Sequence, residues 1–119
     1  MSESMYPPTT RETTQKRREL APEVQAAFDA FGQKVFAEGA LSAKVKQIIA
    51  VAVAHVTQCP YCIKGHTKAA LRAGATGQEL MEAIWVAAEM RAGGAFAHSA
   101  LTLATIDEED AKQREPSGA

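Results

Sequence analysis

The stretch VAVAHVTQCPYCIKGHTKAALRAGAT, residues 51–76, decides the fold. Its middle holds both cysteines of the chain, as Cys59-Pro60-Tyr61-Cys62, and His66 follows four residues after the second. Two readings compete. Val and Ile before the cysteines favour a strand, and IIAVAVAHV is short enough to be one. Against that, Pro60 suits the first position of a helix, Cys59 then stands as its N-cap, and Gly74 is a natural stop. Residues after Cys62 keep helical periodicity as far as Ile106.

The tetrapeptide Cys-Pro-Tyr-Cys also occurs in glutaredoxins, where it follows a strand. A thioredoxin-like fold needs a further β-hairpin and a cis-proline turn beside the cysteines. No proline lies between Pro60 and Pro116, and no run there alternates as a strand does. The all-helical reading therefore stands.

Working outward, Ser42 is a good N-cap for a helix from Ala43 to about Val56. That segment is apolar nearly all round and reads as the central buried helix. Upstream, Pro22 opens a helix whose Val24, Phe28, Phe31 and Val35 form one apolar stripe, and Gly39 is a stop. Downstream, Thr76-Gly77-Gln78-Glu79 reads as a capping box. The helix it opens runs to about Arg91, Gly93-Gly94 permits a kink or break, and a further segment continues from Ala95 to about Ile106. These elements predict an all-α, single-domain bundle of about five to six helices over residues 19–106. Residues 1–18 are polar and aperiodic and read as a flexible or bracing N-terminal arm. Residues 107–119 carry five acids and two bases and read as a frayed helix end followed by an acidic tail.

Composition bounds the rest. At 119 residues the chain holds one domain. Alanine occupies 24 positions and aromatics only seven, which favours closely packed helices over a β-sandwich. A net charge of −1 offers no cationic excess for nucleic acid. No apolar run reaches the roughly 18 residues of a membrane span. The opening residues hold no apolar leader, so a reducing cytoplasm is the expected compartment. There, two cysteines are more often reactive or metal-binding than structural. One apolar helix and several broad stripes exceed what a small bundle can cover, so a homo-oligomer is expected.

In a helix starting at Pro60, Cys62 lies in the first turn and His66 one turn beyond on the same face. Unpaired N–H groups and the positive end of the helix favour a thiolate, and His66 can take a proton from Cys62. A thiolate beside a second thiol can reduce a peroxide or a disulfide and close its own disulfide. The plainer alternative makes Cys59 and Cys62 small buried hydrophobes and His66 a satisfied core histidine. A zinc site is a third reading, with Cys59, Cys62 and His66 as ligands and His55 or His98 as a fourth. Structural zinc sites usually draw a second ligand pair from a distant segment, and no second C-x-x-C is present, so no metal is expected. His55 either turns toward the cysteines or caps its own helix. His98 serves the site or a core or interface position. Tyr61 lines the substrate mouth or faces solvent.

These residues, with ELMEAIWVAAEMRAGGAFAHSAL at 79–101, resemble the alkylhydroperoxidase D-like core of the carboxymuconolactone decarboxylase family. The resemblance spans Ser42 to Ile106. It implies an all-α fold whose subunits assemble into rings, as homotrimers or homohexamers. It also implies hydroperoxide or disulfide reduction with no bound cofactor, the thiols being recycled by an external dithiol such as a lipoyl protein. By the same resemblance, Cys62 attacks the peroxide, Cys59 resolves it and His66 moves the proton. The family's relay glutamate, twelve residues before the first cysteine, falls at Gln47, which can orient a histidine but exchange no proton near neutral pH. Longer relatives often place a histidine between the cysteines, where this chain has Tyr61. Two alternatives remain: a redox-sensing or scaffold oligomer without turnover, and a lyase of the decarboxylase type, whose known members lack the cysteine pair.

Overall fold

Four short side chains start four helices in the computed structural model, which describes residues 5–115. Thr10 caps α1 (Arg11–Leu20), Ser42 caps α3 (Ala43–Thr57), Cys59 caps α4 (Pro60–Arg72) and Thr76 caps α5 (Gly77–Arg114). Each accepts the backbone N–H three residues on, one of the donors a helix start leaves unpaired. The remaining helix, α2 (Pro22–Phe36), begins instead on a proline whose missing N–H costs nothing there. At Thr76 the box is reciprocal: Thr76 Oγ1 accepts from Glu79 N at 3.1 Å and Glu79 Oε1 accepts from Thr76 N at 2.9 Å.

The fold is all-α, as expected, with five helices and no strand among the described residues. Its core is small. Val51, Ala70, Ala75 and Leu80 are buried together, with Ile48 and Ile84 packed against them, so α3, α4 and the first turns of α5 form the body. Helix α4 ends through Gly74 at φ +98, a conformation glycine adopts readily. Gly74 N donates to Leu71 O and Ala75 N to Ala70 O, which satisfies two of the last carbonyls and turns the chain into α5.

The structure departs from the sequence expectations in three places. The arm expected over residues 1–18 is helical from Arg11, held by its cap, Glu12 in the first turn and Arg17 and Arg18 in the last, with no residue buried. Residues 1–4 lie outside the described residues. Gly93-Gly94 makes no break: α5 runs through both and through the acidic segment from 107, ending at Arg114. Two glycines cost about 1 kcal/mol each in a helix interior, which an established, alanine-rich helix absorbs. The tail's last residues, 116–119, lie outside the described ones. Finally, the Val24–Val35 stripe of α2 faces outward, with Val24 72% and Phe28 68% exposed, and Val45, Ile49 and Val53 on the expected buried helix are exposed too. Only one side of α3 is covered within a single chain.

At 38 residues α5 is about 57 Å long. It stretches the molecule to 70 × 39 × 37 Å with a radius of gyration of 22.3 Å, against roughly 14 Å for a compact chain of this size.

One ion pair ties two helix starts together. Lys44 Nζ lies 3.0 Å from Glu79 Oε2. The Thr76 N–H bond and then Lys44 hold the Glu79 carboxyl below its ordinary value of 4.5. A carboxyl lowered on folding contributes stability that is present above the unfolded value and lost as pH falls through the folded one. The stability lost between pH 6 and pH 3 is therefore expected to be smaller in Glu79→Gln than in the wild type, measured as the drop in Tm between those two conditions.

Candidate active site

The turn from α3 into α4 sets the site. Gln58 ends α3 in a left-handed conformation, φ 57 and ψ 49, and Cys59 N donates back to Ala54 O at 3.2 Å. This reverses the chain within two residues and presents Cys59 at the N-cap of α4. Cys59 Sγ accepts the Cys62 backbone N–H at 3.2 Å. The cysteines are joined in a disulfide, with their Cα atoms 5.2 Å apart. The sulfurs thus sit at the positive end of α4, where a thiolate released by reduction meets N–H donors rather than carbonyls.

His66 is placed by two residues from other helices. Its Nδ1 lies 2.8 Å from Gln47 Oε1 on α3. An amide oxygen only accepts, so Nδ1–H donates and the neutral ring keeps its lone pair on Nε2. The Phe36 ring from the end of α2 stacks on the imidazole at 5.1 Å and 27°. His66 and Cys62 line one cavity of about 410 Å³, walled mainly by Val35, Phe36, Ile49, Ala50 and Val53, with Lys46 on it as well. Once the disulfide is reduced, an apolar cavity ending on the Cys62 thiol and an imidazole with a free nitrogen can hold a small, mostly apolar substrate and move a proton at its reacting end.

The other candidates lie elsewhere. His55 Nδ1 donates to Val51 O at 2.8 Å inside its own helix, and His98 Nδ1 donates to Gly94 O at 2.7 Å on the exposed part of α5. Neither lines the cavity that holds Cys62 and His66. Tyr61 turns away from the His66 cavity: its hydroxyl donates to Pro7 O at 2.7 Å and its ring meets Tyr6 edge-on at 5.9 Å. The segment before α1 is thereby pinned against the residue between the cysteines, forming a second cavity with Pro8, Lys64 and Lys68. Among the described residues no three His, Cys, Asp or Glu side chains converge as a metal site. Sequence reasoning missed Phe36 and Lys46. Phe36 falls outside the α2 stripe, beside its last member. Lys46 stands three and seven residues before Ile49 and Val53, on the face of α3 that lines the cavity.

Fold and site together define a small all-helical protein with a cysteine pair and a histidine at the start of one helix. Residues 22–105 match the family model of the carboxymuconolactone decarboxylase family, and the chain belongs to that family. It is 62% identical over 87 residues to an uncharacterised protein, protein 4 in the cox locus of Paracoccus denitrificans, a match covering 73% of this chain and 78% of that one. It is 35% identical over 86 residues to an uncharacterised protein of Cupriavidus necator, covering 72% and 76%. Among solved structures, a protein from Methanobacterium thermoautotrophicum superposes with a TM-score of 0.67 at 39% identity, covering 71% of this chain and 94% of its own. An apo carboxymuconolactone decarboxylase family protein from Legionella pneumophila superposes with a TM-score of 0.65 at 33% identity, covering 82% and 87%. Among the described residues no helix is long and apolar enough to cross a membrane.

The geometry makes a direct prediction about Cys62. In a Cys59→Ser background serine keeps the cap, since its hydroxyl accepts as well as sulfur does. There the thiolate absorbance of Cys62 is expected to titrate well below the usual range near 8.5, and His66→Ala is expected to move the midpoint upward. An unchanged midpoint would detach His66 from the thiol.

Proposed function

We propose that the protein is a thiol-dependent oxidoreductase that reduces small hydroperoxides through Cys59 and Cys62, with His66 as the proton carrier. The observation that carries the reading is the shared cavity: Cys62 and a histidine with its free nitrogen fixed by Gln47 line the same apolar space.

The steps balance as follows. His66 Nε2 takes the proton of Cys62. The thiolate attacks the outer peroxide oxygen, an S–O bond forms, the O–O bond breaks, and the departing alkoxide takes the proton from His66 to leave as an alcohol. Cys59 then attacks the sulfenic sulfur; an S–S bond forms and water leaves with the Cys59 proton. An external dithiol exchanges with the Cys59–Cys62 disulfide, returning two electrons and two protons and leaving as its own disulfide. The sum is hydroperoxide plus dithiol to alcohol, water and disulfide. The pair needs no bound cofactor. A lipoyl protein in the cytoplasm is the donor this reading expects.

The working unit in this proposal is a homotrimer or homohexamer. The outward faces of α2 and α5, with Phe28, Phe31, Trp85, Val86, Met90 and Phe96 exposed, form more apolar surface than monomers usually leave open. Light scattering is expected to give a mass of three or six chains, and a monomer mass at micromolar concentration contradicts this part of the proposal.

A second reading, an oligomer that senses redox state without turnover, draws on Gln47, which cannot pass a proton beyond His66. One assay separates the two. With a dithiol donor and an organic hydroperoxide, Cys62→Ser is expected to abolish turnover, and Gln47→Glu to raise kcat by about tenfold or more by making the relay an acid. Wild-type turnover equal to that of Cys62→Ser would overturn the enzyme reading.

A further inference from the structure

Among the described residues, Lys46 is the one Lys, Arg, Asp or Glu on the cavity that Cys62 and His66 share; the other lining residues are apolar apart from Thr57. Its ammonium donates to Ala37 O at 2.6 Å, which uses one of three N–H donors. Among the described residues its charge has no carboxylate within ion-pair reach: the cationic partners in the three pairs are Arg18, Lys44 and Lys112. Glu38, the acid nearest along the chain before it, is spent on the Ala43 N–H at 3.0 Å. The side chain runs along the cavity wall to the end of α2, and two of its N–H donors are left for another acceptor.

The register of the two helices places this charge relative to the sulfur. Gln47 of α3 meets His66 of α4. Cys62 lies one turn before His66, about 6 Å along α4, and Lys46 is the neighbour of Gln47. Those offsets put the Lys46 backbone at the His66 end of the cavity, on the far side of the imidazole from the sulfur, with its ammonium at the end of α2. The rest of the wall is aliphatic and aromatic.

We infer that the cavity selects an amphiphilic carboxylate: a hydroperoxide whose reacting end reaches Cys62, whose apolar chain lies along Ile49 and Val53, and whose carboxylate pairs with Lys46. Lys46 is in this account a specificity-determining residue. It contributes binding, and no bond to it forms or breaks. The inference rests on the peroxidase reading for its reacting group, while the anion subsite itself is open to a separate measurement.

Two experiments test it. The first compares a medium-chain carboxyalkyl hydroperoxide with its methyl ester, using dithiothreitol as donor. The acid is expected to have the lower KM; Lys46→Met raises that KM about tenfold with kcat little changed, and leaves the ester's KM alone. Lys46→Arg, which keeps the charge and a donor for Ala37 O, restores selectivity, and added salt weakens it. The second needs no turnover. In Cys59→Ser protein, octanoate is expected to slow alkylation of Cys62 by iodoacetamide at concentrations where octanol does not, and Lys46→Met removes the difference. Octanoate protection without any peroxide turnover would keep the subsite and remove the peroxidase reading. Equal behaviour of acid and ester in folded wild-type protein, or of octanoate and octanol in folded Cys59→Ser protein, overturns the inference.

Discussion

The candidate site depends on one sulfur acting as a helix cap. Cys59 Sγ accepts the Cys62 N–H, and that single contact does the work a serine or threonine hydroxyl does at α1, α3 and α5. It fixes where α4 begins, so it also fixes which residues follow on one face at one-turn intervals. Pro60 reinforces the start by supplying the fixed φ of a first helical position. The left-handed Gln58 just before it brings α3 to an end, so the two helices pack side by side and His66 can reach Gln47. The same unpaired N–H groups that make a cap necessary favour an anion at the start of α4, where Cys62 lies in the first turn. The cap thus sets both where the helix begins and the field around the second cysteine.

Much of the fold was legible because helix starts are written locally. Ser42, Cys59 and Thr76 each stand immediately before the predicted helix, and each caps it. The reading failed where the signal it used was absent. Periodicity reports burial, and α1 buries nothing; its helix comes from a threonine cap and charges matched to the dipole. The glycine pair at 93–94 permits a kink or break, but glycine only weakens a helix, and alanine on both sides restores what is lost. The α2 stripe is legible as apolar, yet its direction is not. A stripe says that something must cover it, without saying whether the cover belongs to the same chain.

The site divides in the same way. Cys59, Cys62 and His66 lie within eight residues on one helix, so spacing alone places them on one face. Gln47 comes from another helix and entered only through the resemblance; the structure puts it 2.8 Å from His66. Phe36 and Lys46 approach from α2 and α3 across the fold, and no pattern within either helix announces them as part of a cavity. His55 and His98 illustrate the opposite hazard. Each is a histidine at a suggestive place, and each spends its Nδ1–H on a carbonyl four residues back in its own helix.

The size of the core governs how these parts behave together. Four clustered buried residues on α3, α4, the turn after α4 and the start of α5 hold the body, while α2, which supplies Phe36 and Val35 to the cavity, keeps its own apolar stripe in solvent. Hydrophobic burial is the main favourable term in folding, at about 25 cal/mol for each Å² removed from water. A wall that leaves most of its apolar area exposed is held weakly by its own chain. Covering that stripe would stabilise α2 and, through Phe36, the orientation of His66, even though no residue of the covering surface need touch the imidazole. One aromatic ring carries the link: whatever steadies α2 steadies the His66 imidazole.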